Sequence, residues 1–334
     1  MPMKRNGLIL AAALGLATTL YLVFYVGLGA VFGAIASLGL SGFAALCVLY
    51  VVLLALLSVS WFVLVPGLQL SRWPTFFWGR AVRDSAAEVL PLSQFGGFVI
   101  GARAVALRGV AAADAYASTM VDVTTEMLAQ IVFVVTGAII FILHFGFHSQ
   151  HNGLFMPLLL GPAIATLAAA GFICVQRKGP AFAEKMAERL LPQAVGHAGA
   201  FARSIGDIYA APWRTIASTG LHLVSWLASA AIGWTAVNLI GGHVSYINML
   251  AIESALCAIR SAAVIVPSAM GVQEASYAML MPLFGMGPEI GVALSLLKRA
   301  CNIAIGIPVL LSWQGLEGRH AVSLVTRDER LSEN

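Results

Sequence analysis

Charge is what this sequence has least of. Only 10% of its 334 residues are Asp, Glu, Lys or Arg, while 60% are hydrophobic. A soluble domain carries about 25% charged residues, so an ordinary water-soluble fold is excluded. The longest polar region, residues 176–212, is too short for a separate domain. Cysteine is scarce too: Cys47, Cys174, Cys257 and Cys301 all lie in apolar runs without motif spacing. They read as small core residues, which excludes a disulfide frame or a cysteine metal site. HExxH, Gly-x-Ser-x-Gly, a P-loop and a dinucleotide glycine motif are also missing. The expectation is therefore no enzyme activity, no cofactor and no ATP-driven transport by this chain alone. An intramembrane transferase working through carboxylates stays open.

What the sequence has is long apolar runs. Residues 8–30, 38–65, 115–145, 154–175, 216–240 and 290–313 are each long enough to span a bilayer, which needs about 20 apolar residues. Lys4 and Arg5 precede the first run as in a signal peptide. That run exceeds the roughly 7–15 residues of a signal-peptide core, so it is read as a retained span. Two further apolar stretches, 88–107 and 244–283, are interrupted by Pro and Gly.

Basic residues orient the spans. Lys4 and Arg5, then Arg72, Arg80 and Arg83, then six Lys and Arg between 177 and 214, then Arg319, Arg327 and Arg330 fall on one side. The connections near Ser37, Gln150 and Gly242 contain no Lys or Arg. The positive-inside rule places both termini in the cytoplasm. It also explains the net charge of +4 without invoking nucleic acid. Six spans satisfy this sidedness if each interrupted stretch enters and leaves by one face.

The expected fold is an all-α polytopic membrane protein. It has six transmembrane helices plus two re-entrant broken-helix hairpins, in two inverted-topology repeats. The first repeat is residues 1–146, with its hairpin at about 86–110; the second is 147–316, with a hairpin at about 246–286. A cytoplasmic amphipathic helix is expected at about 180–211 and a cytoplasmic tail at 317–334. The repeat is carried by order: Arg83 then Pro91 and Gly96, against Arg260 then Pro267 and Gly271. Ser118-x3-Asp122 and Ser295-x3-Arg299 then open the next spans.

The stretch from Met249 to Asn302 is apolar enough for a bilayer, yet it carries Glu253, Arg260, Glu274, Lys298 and Arg299. Such groups cost roughly 3 kcal/mol or more each at membrane depth, so they face partners or water. Ser118, Asp122, Glu126 and Gln130 recur every four residues and share a helix face. Arg103, Arg260, Lys298 and Arg299 thus oppose Asp122, Glu126, Glu253 and Glu274. Arg260 is expected to pair with Glu253 or Glu274. With Arg83, Glu88, Ser118, Pro267 and Gly271, these groups are the candidate lipid-headgroup site. They form either structural ion pairs or a polar cavity, in which an arginine fork suits phosphate. His144, His148 and His151 have a zinc-like spacing, but Gly146 interrupts it, so no metal is expected. His222 reads as a hydrogen-bonded packing residue, and Trp61, Trp73, Trp78, Trp213 and Trp313 as interfacial anchors.

Several motifs together resemble the hopanoid-biosynthesis-associated membrane proteins of bacteria. They are FWGRAVRD at 77–84, EVLPLSQFGG at 88–97, ASTMVD at 117–122, RSA at 260–262, VPSAMGVQE at 266–274 and SLLKR at 295–299. That family belongs to a flippase-like superfamily that includes the membrane domain of lysylphosphatidylglycerol synthase. The resemblance implies a lipid flippase or transporter of the bacterial inner membrane. Its partners would be a hopanoid or anionic phospholipid headgroup and the hopanoid-pathway enzymes. A headgroup transferase and a non-transporting accessory subunit are the alternatives. The superfamily often has Pro-Gly-Gly where this chain has Pro267-Ser268-Ala269, so this turn is expected to be stiffer. The synthase's soluble transferase domain has no counterpart here, and lysine transfer is not implied.

The sidedness argument makes a direct prediction. Cysteines introduced near Ser149 and Gly242 label from the periplasm, and one near Lys185 does not. Labelling at Lys185 from outside would overturn the inverted arrangement.

Overall fold

The computed structural model describes residues 28–89, 94–146, 195–263 and 269–332, with positions 166–167, 170–171, 173–174 and 266. All their regular structure is helical. In chain order the helices are α1 (Leu28–Leu64), α2 (Trp73–Val89), α3 (Gln94–Ala106), α4 (Ala112–Phe145) and α5 (Val195–Ala210). Then follow α6 (Pro212–Leu239), α7 (Tyr246–Ala262), α8 (Val272–Leu280) and α9 (Pro288–Ser332).

Four helical stretches are long and apolar enough to cross a membrane: Ala36–Leu64, Ala112–Phe145, Pro212–Leu239 and Pro288–Glu317. They coincide with four of the six expected spans. The other two, 8–30 and 154–175, lie almost wholly outside the described residues, as do Pro91, Pro267, His148 and His151. Val48, Val52, Ile139, Leu143, Ile307 and Leu311 are exposed on the long helices. Water would penalise such a surface, whereas hydrocarbon does not.

Local signals set where the helices begin and end. Pro66 and Gly67 (φ 74°) follow α1 and stop it. Gly146 (φ 70°) ends α4, its N–H donating to Ile142 O. Pro212 opens α6 at a position that needs no amide hydrogen. Ser245 caps α7, its hydroxyl accepting from the Asn248 amide. Pro288 opens α9, which continues through Pro308.

The order long, short, short, long occurs twice. In the first half α1 and α4 flank α2 and α3; in the second α6 and α9 flank α7 and α8. The helix leading into the first turn begins at Trp73, so the stretch expected from about 86 covers only its end. The pair packs closely: a Cβ at Gly97 would meet the Arg83 carbonyl at 2.7 Å, and one at Gly101 the Arg83 Cβ at 2.6 Å. The halves interlock, because α1 packs on α6, α2 on α9 and α4 on α7.

One sequence expectation is corrected here. Trp61 is not an interfacial anchor; it is fully buried, and its Nε1 donates to Ser118 Oγ at 2.9 Å. Of the amphipathic stretch expected at about 180–211, residues 195–211 are described. There α5 buries Ile205 and Ile208 against Leu64, Ala117 and Val121. Ser204 Oγ also donates to Asp114 Oδ1 at 2.7 Å.

The turn before α8 carries backbone strain. Ala269 has φ 46°, in the left-handed region, and is buried. A left-handed non-glycine residue costs roughly 1–2 kcal/mol, and this is where the resembling superfamily has glycine. Glycine's larger unfolded-state freedom costs roughly 0.4–1 kcal/mol. Ala269→Gly is therefore expected to stabilise the protein by about 0.5–1 kcal/mol, read as a higher thermal midpoint in detergent. A lower midpoint would mean that packing of the Ala269 methyl outweighs the strain.

Candidate functional site

Five basic side chains and six carboxylates meet where the two halves join. The helix faces that carry them come from α2, α4, α7, α8 and α9. On α2, Arg80 and Arg83 are nearly one turn apart and both point to α4. Arg83 donates to Asp122 Oδ2 at 2.5 Å and to Glu126 Oε2 at 2.7 Å. Arg80 donates to Asp84 Oδ2 at 2.9 Å, Glu126 Oε1 at 3.1 Å and Asp122 Oδ2 at 3.3 Å. Phe98 of α3 lies against the Arg83 guanidinium, 4.5 Å from ring centre to Cζ. Asp122 is fully buried, and its second oxygen faces His222 Nε2 on α6 at 2.9 Å.

The second half has the same design with the charges exchanged. The acids are on the short helices and the bases on the long one. Lys298 of α9 reaches both oxygens of Glu253 on α7 at 3.0 Å. Tyr277 of α8 donates to Glu253 Oε1 at 2.6 Å, and Lys298 donates to the Tyr277 hydroxyl at 2.9 Å. Arg299 clasps Glu274 through Nε at 2.6 Å and Nη2 at 3.2 Å. Glu274 also accepts from the Gly271 amide at 2.8 Å and so holds the start of α8. Gly271 itself has φ 78°, which glycine adopts without strain.

Two ion pairs cross between the halves, Arg103 of α3 with Glu317 of α9 away from the cavity and Arg260 with Glu88 at the cavity wall. Arg260 of α7 donates to Glu88 Oε1 of α2 at 2.9 Å. Its other arm donates to Gln273 Oε1 at 3.1 Å. From there a chain runs through Gln273 Nε2 to Ser295 Oγ at 2.9 Å, and from Ser295 to Glu274 Oε1 at 3.0 Å. The expected direct partnership of Arg260 with Glu253 or Glu274 is therefore corrected. Glu253 is taken by Lys298, and Glu274 is reached only through two neutral side chains.

These groups surround a cavity of about 360 Å³. Of the expected site residues, Arg83, Glu88, Glu126, Glu253, Arg260 and Lys298 line it. Asp122, Glu274, Gly271 and Arg299 stand behind that wall through the bonds described above. Ser118 is apart, buried with Trp61. Arg103 does not pair with the predicted carboxylates; it pairs with Glu317, where the apolar part of α9 ends. Pro267 lies outside the described residues.

Arg80 was counted among the topology-setting loop charges, yet it is buried with Arg83 at the cavity. The available signal was Arg80-x2-Arg83-Asp84 at helical spacing, matching Asp122 and Glu126 one turn apart. Tyr277 and Gln273 had no sequence signal beyond being polar in an apolar helix. The donor atoms of Asp122, Glu126 and His222 lie within 4.8 Å of one another. Two guanidiniums already hold those carboxylates, so the trio is part of an ion-pair cluster.

Bundled apolar helices around a charge-paired polar core define a multi-pass helical membrane protein. The family of the lysylphosphatidylglycerol synthase TM region matches residues 9–309, and the chain belongs to it. No curated protein and no solved structure matches the chain.

The pairing pattern can be measured. Arg260→Ala and Glu88→Ala are expected to couple by about 0.5–3 kcal/mol in a double-mutant cycle of unfolding in detergent. The coupling of Arg260 with Glu253 is expected to be smaller. Equal or larger coupling to Glu253 would restore the pairing first read from helix spacing.

Proposed function

We propose that this protein moves a polar-headgroup lipid, of the hopanoid or phospholipid class, across a bacterial inner membrane. Membership of a lipid-related membrane family supports a lipid substrate. The observation that carries the reading is the cavity between the halves, about 360 Å³ and walled by both charges and apolar side chains. Binding sites for small groups run from about 300 to 1,000 Å³, so this one takes a headgroup and leaves acyl or hopanoid chains outside in lipid.

Arg260 is the residue placed to meet that headgroup. Its side chain is 28% exposed and that of Glu88 27%, whereas Arg80 and Arg83 are nearly enclosed. A headgroup phosphate can take over the guanidinium fork from Glu88. Releasing this cross-half pair while a ligand replaces it would let the halves move relative to each other. Inverted repeats meeting at a midplane site work in this way, and the twofold order of long and short helices supports that arrangement here. Both termini are read as cytoplasmic.

The transferase reading is less well supported. Asp122 and Glu126, its intended bases, are each held by both arginines of α2. A carboxylate so paired is a poor proton acceptor. Association with hopanoid-pathway enzymes follows from resemblance only.

The test is the sidedness of a fluorescent phosphatidylglycerol in vesicles containing only this protein. Arg260→Gln is expected to slow its transfer by about 10- to 100-fold, the effect of losing a charge-assisted hydrogen bond of about 1.5–3 kcal/mol. Folding is to be checked by the thermal midpoint. Absence of transfer by the wild type would count against transport. Unchanged transfer by Arg260→Gln would remove that residue from the site. Arg299→Gln is a poorer probe, because it strands the fully buried Glu274.

A further inference from the structure

The ion-pair cluster under the first half of the cavity has unequal numbers of charges. Arg80 and Arg83 face Asp84, Asp122 and Glu126. The other ionic groups around the cavity match one to one: Lys298 with Glu253, Arg299 with Glu274 and Arg260 with Glu88. Two guanidiniums against three carboxylates leave one negative charge among the described residues. Asp122, at the centre, is fully buried, where an uncompensated charge is costly.

His222 stands where compensation is needed. It is fully buried on α6, with Nε2 2.9 Å from Asp122 Oδ1. Its Nδ1 is also buried and has no hydrogen-bond partner among the described residues. Two demands therefore oppose each other. A neutral ring, protonated on Nε2, donates to Asp122 and leaves Nδ1 as an unused acceptor, but the cluster keeps its excess negative charge. A second proton, on Nδ1, balances the cluster but buries an N–H without an acceptor. Imidazole is the side chain whose charge changes between about pH 5 and 8.

Among the described residues the surroundings supply no other compensating cation; Arg214 of α6 itself is turned to the Val63 and Val65 carbonyls. From α4 the ring faces Asp122 and Glu126, and beyond them Arg80, Arg83 and Asp84 of α2. Helix α1, packed on α6, has no Asp, Glu, Lys, Arg or His; its titratable groups are Cys47 and Tyr50. On α7, Glu253 is held by Lys298 of α9, and Arg260 by Glu88; Cys257 is neutral as a thiol. Arg299 of α9 is held by Glu274. Helix α5 carries His197, Arg203 and Asp207, of which Arg203 and Asp207 are exposed.

We infer that His222, seated on Asp122, is a proton-binding site and supplies the third cation of this cluster. Its charge reaches the cavity through Asp122, the two arginines and the cavity-lining carboxylates Asp84 and Glu126. An imidazolium removes the negative excess of the wall and favours an anionic headgroup. Headgroup binding and proton uptake are then linked through one charge balance, and a proton gradient can drive transport. The transport consequence rests on the function proposed above; the proton site does not.

Two measurements on the full chain test this. The first is nitrogen-15 NMR of ring-labelled histidine in nanodiscs. The His222 signal is assigned by its loss in His222→Gln. Should that variant not fold, it is assigned in a chain whose other six histidines are replaced. Spectra are taken from about pH 8 to about pH 5, and the imidazolium signature is expected to grow on acidification. A ring that keeps one form over that range would overturn the proton site, whatever the protein transports. The second is transfer of fluorescent phosphatidylglycerol in vesicles. The wild-type rate is expected to rise about fivefold or more on acidification over that range, with a flat profile in His222→Gln. A titrating ring with a flat wild-type rate would overturn the linkage. No transfer by the wild type at any pH would sink the transport reading and its linkage, while the NMR titration still decides the proton site.

Discussion

Everything in this fold has to accommodate the pairing of Arg83 with Asp122 and Glu126 across α2 and α4. A guanidinium and two carboxylates in an apolar surround are tolerable only when each satisfies the others. That demand holds α2 against α4 at side-chain contact. It also explains the close approach of α3 through Gly97 and Gly101, which brings Phe98 over the guanidinium. Arg80 completes the arrangement, because one guanidinium has too few donors to satisfy two carboxylates and their neighbours. The glycines serve the charges here: without side chains, they let the helix backbones come near enough to seal the pairs from lipid.

The second half meets the same demand with the signs reversed. Its acids are on the short helices α7 and α8 and its bases on the long helix α9. Glu274 serves two purposes, since it pairs with Arg299 and also holds the first amide of α8. Most of these charges are neutralised within their own half, while Glu88 takes its cation, Arg260, from the other half. Two ion pairs, Arg260 with Glu88 and Arg103 with Glu317, join the halves by direct ionic contact. Both cross-half pairs are part-exposed and so weaker than the enclosed ionic ties within each half. That difference suits a molecule whose halves move as units.

The cavity follows from this arrangement. Long helices packed side by side would close it with apolar side chains, as α1 does on one wall with Leu53, Leu54 and Leu57. The short helices stop partway, and the charged residues near their ends keep the central space polar. A membrane protein retains such costly groups inside its core where a polar ligand or ion must pass. The apolar exterior, by contrast, carries no comparable information, since any exposed valine or leucine satisfies hydrocarbon.

By itself the sequence determined what depends on composition and local order. Apolar run length marked the four described spanning helices, because bilayer thickness sets a minimum that does not depend on neighbours. Breaks at Gly271 and at the proline-led helix starts were legible because they act within a turn of themselves. The involvement of Glu126, Glu253, Lys298 and Arg260 was legible because a charge in an apolar run must have a partner. Tertiary structure alone decided which partner. Helix spacing puts Glu253 and Arg260 on one face, but Lys298 and Glu88 are 45 and 172 residues away along the chain. Only packing brings those residues closer than the near neighbours. For the same reason Arg80 passed for a loop charge and Trp61 for a surface anchor. Loop charge and core charge are the same residue type, and what separates them is the helix that lies across them.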